Sequence, residues 1–178
     1  MKSQQRLSYH VAITVDGFIA RNDDSYDCFL NDGPHVADFF STIQQYGSVL
    51  MGRRTYEGGL KLGVSNPYPW LQTVVFSRSL RPDLEPKVEI TAHDPLVRVQ
   101  ALKAESGKGI WLCGGAQLAS QLLGAGLVDE LVVKLNPVLL GQGISLAATL
   151  PHHLPLTLRT SKIYENGVVL LRYDVQTA

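Results

Sequence analysis

Between Ile110 and Gly143 the chain reads IWLCGGAQLASQLLGAGLVDELVVKLNPVLLGQG, and the glycine pair inside it leaves few options for the fold. Ile110-Trp111-Leu112-Cys113 is a short apolar run of the kind that forms a strand buried on both faces. Leu118, Leu122 and Leu123 then recur at helical spacing, so Gly114-Gly115 sits where a strand feeds a helix. Without a Cβ, such a pair permits a tight turn or the close approach of another backbone. Free N–H groups and the positive end of the helix dipole leave a junction of this kind, which makes it a candidate phosphate site. Gly-Gly is also ordinary turn punctuation, and the pair alone does not separate the two readings. Gly124 and Gly126 end the helix, and Leu131-Val132-Val133 starts the next strand.

The rest of the chain repeats this alternation. Leu7 to Val15 predicts a strand, with Tyr9, Val11, Ile13 and Val15 opposite Ser8, His10, Ala12 and Thr14. Asp16-Gly17 breaks it before Phe18-Ile19-Ala20, and residues 21–34 are a long polar loop. Val36 to Tyr46 predicts the first helix, from Val36, Phe39, Phe40 and Ile43 behind Pro34. Strands follow at Val49–Met51, Thr73–Phe76 and Val88–Thr91, with Gly58 to Pro69 reading as loop. Asp94-Pro95 opens a second clear helix. Glu165-Asn166-Gly167 joins a closing hairpin. The expectation is an α/β fold with a mostly parallel central sheet and an antiparallel C-terminal hairpin.

Length and charge narrow the function classes. At 178 residues the chain suits one domain, residues 1–178, without repeats or linkers. Lys+Arg and Asp+Glu are both 16, so no basic excess points to nucleic acid or to an acidic membrane surface. No apolar run is long enough to span a bilayer, and the polar start Met1 to Arg6 does not resemble a secretory leader. Two cysteines, Cys28 and Cys113, make no disulfide framework, and a cytoplasmic setting is the simpler expectation. His152-His153 has no spaced partner for a metal, so no metal site is expected.

Three strand ends carry small or cationic groups: Gly52-Arg53-Arg54-Thr55, Ser77-Arg78 and Gly114-Gly115-Ala116-Gln117. Ligands of open α/β sheets bind outside the carboxyl ends of strands, and guanidinium groups there suit phosphates. Each motif alone reads more readily as solvated charge or turn. Together, at one edge of one sheet, they favour a phosphate-bearing ligand. No G-x-G-x-x-G or G-x-x-x-x-G-K-[ST] loop is present, nor a G-x-S-x-G elbow.

In this order, with Ala12-Ile13-Thr14-Val15-Asp16-Gly17-Phe18-Ile19-Ala20, Met51 to Glu57 and Val75-Phe76-Ser77-Arg78, the motifs resemble the dihydrofolate reductase superfamily. Asp16 to Ala20 and Pro137 to Gly143 are similar to the branch that holds the C-terminal reductase domain of the bifunctional riboflavin-pathway deaminase/reductase. The resemblance implies a three-layer dihydrofolate-reductase-like fold, cytoplasmic NADPH-dependent reduction of a small heterocyclic or sugar-linked substrate, and a homodimer formed through later strands including Leu131 to Leu140. The named activity it resembles is reduction of 5-amino-6-(5-phosphoribosylamino)uracil. It also implies that Gly52, Arg53, Arg54 and Thr55 hold the 2′-phosphate and pyrophosphate of the cofactor. Ser77 and Arg78 would flank the adenine side, Gly114, Gly115, Ala116, Gln117 and Leu118 the pyrophosphate, and Ala12 and Ile19 the nicotinamide end.

The chain departs from the superfamily at the substrate side. Dihydrofolate reductases place a carboxylate in the first helix; the corresponding position here is Val36, flanked by His35 and Ala37. Asp38, two residues on, is rotated by about 200° and is the one weak candidate for a catalytic acid. The helix also lacks the basic residues that riboflavin-pathway reductases carry there. Lys134, Asn136 and Gln142 fit substrate contacts or surface and turn roles equally well. A pterin reductase using Asp38 or an acid of residues 23–27, and an NADP-binding module without turnover, are the alternatives.

Overall fold

The computed structural model describes residues 4–176 and builds them around one eight-stranded sheet. In chain order the elements are β1 (Leu7–Thr14), β2 (Phe18–Ala20), α1 (Pro34–Ile43), β3 (Tyr46–Gly52), α2 (Arg53–Lys61), β4 (Gln72–Phe76) and β5 (Val88–Thr91). Then come α3 (Pro95–Ala104), β6 (Gly109–Gly114), α4 (Ala116–Gly124), β7 (Glu130–Asn136), β8 (Ile144–Ser145), β9 (Leu156–Ile163) and β10 (Val169–Val175). The sheet order is β5-β4-β3-β6-β1-β7-β10-β9. Strands β5 to β7 are parallel, whereas β10 runs antiparallel to both β7 and β9. This is the α/β fold with a closing antiparallel hairpin that the periodicity predicts.

The parallel strands are apolar on both faces because helices cover both. Leu7, Tyr9, Leu50, Val74, Ile110 and Leu112 pack with Val99 and Leu102 of α3 and Leu118, Ala119 and Leu122 of α4. Their neighbours Val49, Met51, Val75 and Trp111 point the other way, onto Ile43 of α1 and Tyr56 of α2. Fully burying a leucine such as Leu50 or Leu112 stabilises by about 1.5–3 kcal/mol, so these two layers hold the sheet between them. Among the described residues no helix is long and apolar enough to cross a membrane.

Three details differ from the sequence expectation. Gly58 and Gly59, read as loop, lie inside α2. Each glycine costs about 1 kcal/mol in a helix, but Tyr56 beside them is buried, bonds the Ser65 carbonyl at 2.7 Å, and anchors the segment. Strand β8, two residues long, has no pattern to announce it and exists through pairing with β2. Finally, Leu131, Val132 and Val133 are buried in an interior strand flanked by β1 and β10 rather than at an open edge, whereas Leu139, farther along the same stretch, is 72% exposed. Of the two edge strands, β5 and β9, it is β9 that is exposed along its whole length.

A buried ion pair ties α3 to the sheet. The Lys103 ammonium, on a residue only 5% exposed, donates to Asp129 Oδ2 at 2.5 Å and to the Leu127 carbonyl at 2.8 Å. The same carboxylate oxygen accepts the Leu7 N–H at 2.7 Å. Asp129→Ala removes the counter-charge and leaves the ammonium buried. We expect a loss of about 2–3 kcal/mol, below the fully buried range because the Asp129 side chain is 35% exposed. Urea unfolding should show a lower midpoint at unchanged slope; an unchanged midpoint would show that the pair does not hold α3 in place.

Candidate functional site

The three strand ends singled out in the sequence are neighbours. Strands β4, β3 and β6 lie side by side and parallel, with Gly52 opposite Phe76 and Met51 opposite Gly114. A Cβ on Gly52 would lie 3.4 Å from the Gly115 nitrogen, and one on Gly115 would lie 3.3 Å from Thr55 Oγ1. Gly114 has φ 141°, a conformation that side chains disfavour, and the Gly114–Gly115 peptide is cis. Gly52 and Gly115 are also the N-caps of α2 and α4, and neither helix start is closed by a side-chain hydrogen bond. The first N–H groups of two helices therefore emerge next to each other, those of Arg53, Arg54 and Thr55 beside those of Ala116, Gln117 and Leu118. Leu118 contributes backbone only, since its side chain is in the core.

The arginines are engaged differently. Arg53 pairs with Glu57 one turn on, at 3.4 Å. Arg54 grips Asp24 of the long loop through two contacts, 2.7 and 3.2 Å. Arg78 is exposed and has no ion pair among the described residues. Ser77 Oγ accepts the N–H groups of Ser79 and Leu80, so this serine shapes the turn after β4.

Strands β1 and β6 pair only from Leu7–Ile110 to Tyr9–Leu112 and then part. Ala12 lies past this fork on β1, opposite Lys134 of β7, and Ile19 is half-buried on β2. Beside the fork, between the sheet and α1, is a cavity of about 10 Å³ lined by His10, His35, Phe39, Thr42, Lys134, Tyr164 and Leu170. That volume holds about one water. His35, Phe39 and Thr42 are the cavity-facing side of α1. Asp38 is turned away, and its carboxylate accepts Lys162 Nζ at 2.5 Å and the Tyr164 hydroxyl at 2.6 Å. The Lys162 contact above all, then the Tyr164 bond, holds it below the usual carboxylate range, so it is placed to stay ionised rather than to deliver a proton. Of the loop acids, Asp27 pairs with Arg21, Asp24 with Arg54, and Asp23 caps the turn at Ser25.

Residues 6–170 match the family described as the RibD C-terminal domain. The chain belongs to that family. Among its relatives is the uncharacterized protein YwjB of Bacillus subtilis (strain 168), 31% identical over 173 residues, which are 94% of this chain and 97% of the relative. Among solved structures, a protein from Shewanella sp. PV-4 described as a riboflavin biosynthesis protein superposes with TM-score 0.83 at 22% identity, over 97% of this chain and all of that one. Dihydrofolate reductase from Enterococcus faecalis, solved with NADP(H), gives TM-score 0.71 at 18% identity, over 99% and 100% of the two chains. The RibD C-terminal domain is thus a reductase-type family with a dihydrofolate-reductase-like fold.

In this RibD C-terminal domain the two stretches that mark the branch meet each other. Asp16 accepts the N–H groups of Leu140 and Gly141 at 3.0 and 2.7 Å, and β2 pairs with β8 directly behind Gly143. A Cβ on Gly143 would collide with the Ala20 carbonyl oxygen. These residues build the wall beside the fork rather than chemistry. Thr14, then Gly141, lowers Asp16 to about 2. Asn136 is likewise structural: fully buried, it bonds the Ile13 and Lys134 carbonyls and the Leu30 N–H. Gln142 is exposed. His10, His35 and Tyr164, which no spacing in the sequence connects, are brought to the cavity by the fold.

His10 is only 5% exposed and its Nδ1 has no hydrogen-bond partner. Burial first, then the nearby Arg172 and Lys134 charges, lowers it from 6.5 to about 3. Between those values the unfolded chain binds the proton and the folded chain does not, so stability falls as pH drops from 6.5 toward 3. From about pH 6.5 to about pH 5 this amounts to about 2 kcal/mol. Urea midpoints of His10→Gln should fall less over that interval than those of the wild type; equal slopes would exclude His10 as the responsible group.

Proposed function

We propose that this protein is an NADPH-dependent reductase that delivers hydride to a C=N or C=O carbon of a small heterocyclic or sugar-linked substrate, of the type reduced in riboflavin biosynthesis. One observation carries the reading: the glycine contact between the β3 and β6 ends, which sets two uncapped helix starts side by side. Phosphate oxygens can approach backbone N–H groups there because Gly52, Gly114 and Gly115 present no Cβ. Arg53, Arg54, Thr55 and Ser77 to Arg78 would hold the 2′-phosphate end, and Gly114 to Leu118 the pyrophosphate. Ala12 and Ile19, on the far side of the fork, would bound the nicotinamide end.

Bound, the cofactor would supply the hydride. The chain's own part is to fix the two reactants and to exclude water, which lowers the barrier through orientation. Arg54 must exchange Asp24 for a phosphate, so cofactor binding would be coupled to the loop at residues 21–33. Calorimetry with the purified chain should show NADPH binding that weakens with salt and exceeds NADH binding. Arg78→Ala should cost about tenfold in NADPH affinity. Gly115→Val should abolish binding while unfolding stays cooperative. Absence of NADPH binding by the wild type at millimolar ligand would refute the proposal. Binding without NADPH consumption against a panel of carbonyl and imine substrates would leave a cofactor-binding module in its place.

We further propose a homodimer formed along β9. Leu156, Leu158 and Ile163 are 42%, 52% and 79% exposed on a strand whose outer edge is unpaired. Monomeric proteins rarely leave so long an edge uncovered with leucine and isoleucine exposed on it. Sedimentation should give a dimer at micromolar concentration, and Leu158→Lys with Ile163→Lys should give a monomer. A monomeric wild type would rule it out.

A further inference from the structure

Two side chains that line the cavity beside the fork, Lys134 and His35, belong to an arrangement that the cofactor reading does not use. Leu30, in the loop between β2 and α1, has its carbonyl oxygen at the convergence of two side-chain donors. Lys134 Nζ is 2.9 Å from it and His35 Nε2 3.1 Å. The histidine tautomer follows from its other contact. Asn166 Oδ1 accepts the Val168 N–H, so its Nδ2 is the donor to Asp32 O and to His35 Nδ1 at 3.2 Å. With Nδ1 accepting, the proton sits on Nε2 and points at Leu30.

Lys134 has further capacity. An ammonium carries three donors, and among the described residues only the Leu30 carbonyl takes one. The side chain is half-buried on β7, and burial lowers its proton affinity. A cation in such a place favours an acceptor oxygen over water, because the low-dielectric wall strengthens the interaction. No carboxylate lines the cavity, since Asp38 is occupied by Lys162 and Tyr164. A ligand edge made of donors, such as the amino-pyrimidine edge of a pterin, would therefore meet donors. An edge made of acceptors would be matched.

We propose that Lys134 and His35 form the acceptor-oxygen site of the substrate chamber, selecting a planar ring that presents a carbonyl or carboxylate oxygen in place of the Leu30 carbonyl. The word substrate rests on the reductase reading; the binding site itself does not. The Leu30 carbonyl already takes the Lys134 and His35 donors, and the cavity they line holds only about 10 Å³, so a ring that bonds both groups must displace Leu30. Its N–H bond to Asn136 Oδ1, 3.2 Å, should break at the same time. His10, with its unpartnered Nδ1, and Phe39 would then face the ring.

The test is a titration of ¹⁵N-labelled protein, followed by amide shifts and by hydrogen exchange at Leu30, with two probes of similar size. Orotate carries carbonyl and carboxylate oxygens; 2,4-diaminopyrimidine carries donors. Orotate at millimolar concentration should shift amides near residues 30, 35 and 134 and speed exchange at Leu30, and diaminopyrimidine should bind at least tenfold more weakly. Lys134→Met and His35→Leu should each weaken orotate about tenfold or more, and His35→Gln, which keeps a donor, should restore most of the loss. A purely structural latch would speed exchange at Leu30 in Lys134→Met and leave orotate affinity unchanged. That result, a preference for diaminopyrimidine, or no shift with either probe would overturn the proposal. NADPH calorimetry on the same samples reports on the cofactor cleft alone, so loss of one reading is distinguishable from loss of the other.

Discussion

The contact between the carboxyl ends of β3 and β6 is the constraint on which the rest of the site depends. Two parallel strands that both turn into helices bring two N-termini to one place only if neither carries a side chain at the crossing. Gly52 against Gly115, with Thr55 Oγ1 closing on the second glycine, meets that condition. The apolar layers fix it in position: Val49 and Met51 go to one side, Leu50 to the other, and Trp111 and Leu112 do the same on β6. A strand clamped from both faces cannot relax to accept a larger residue at its end.

On the other side of the fork, polar contacts rather than packing set the walls. Asp16 holds the turn at Leu140–Gly141, and Asn136 joins Ile13, Lys134 and Leu30 into one unit. Both act through backbone groups, so they position chain segments without presenting reactive atoms. The loop at residues 21–33 is pinned at two points of different character. Arg54 holds Asp24 through an exposed ion pair, and Lys134 with His35 holds Leu30 from inside. The outer pin is screened by salt, whereas the inner one is shielded from it. Cofactor and substrate would each release one pin.

The charges of the cavity follow the same division. Burial above all, then the nearby Arg172 and Lys134 charges, keeps His10 neutral, and Asp38 is absorbed by Lys162 and Tyr164 at the hairpin. The chamber is therefore a place for acceptors. The likeness to a solved dihydrofolate reductase is one of fold, at TM-score 0.71.

The alternation of apolar runs and glycines determined the parallel sheet, its closing hairpin and the motifs at its edge, because each is a local signal: period, turn chemistry and residue type over a few positions. The ordered motifs also sufficed to place the chain among reductases. What the sequence left open was everything that joins distant segments. Gly58 and Gly59 read as loop until Tyr56 is seen buried beside them. Leu131 to Val133 read as an apolar strand, and only the sheet order shows that β1 and β10 cover both its edges. Asp38 was the visible acid, and only its partners on β9 and at Tyr164 show that it is spoken for. The chamber at Lys134, His35 and Leu30 gathers residues about a hundred positions apart, so no spacing could reveal it. Local patterns carry the scaffold, and burial and hydrogen bonding between remote residues decide the chemistry.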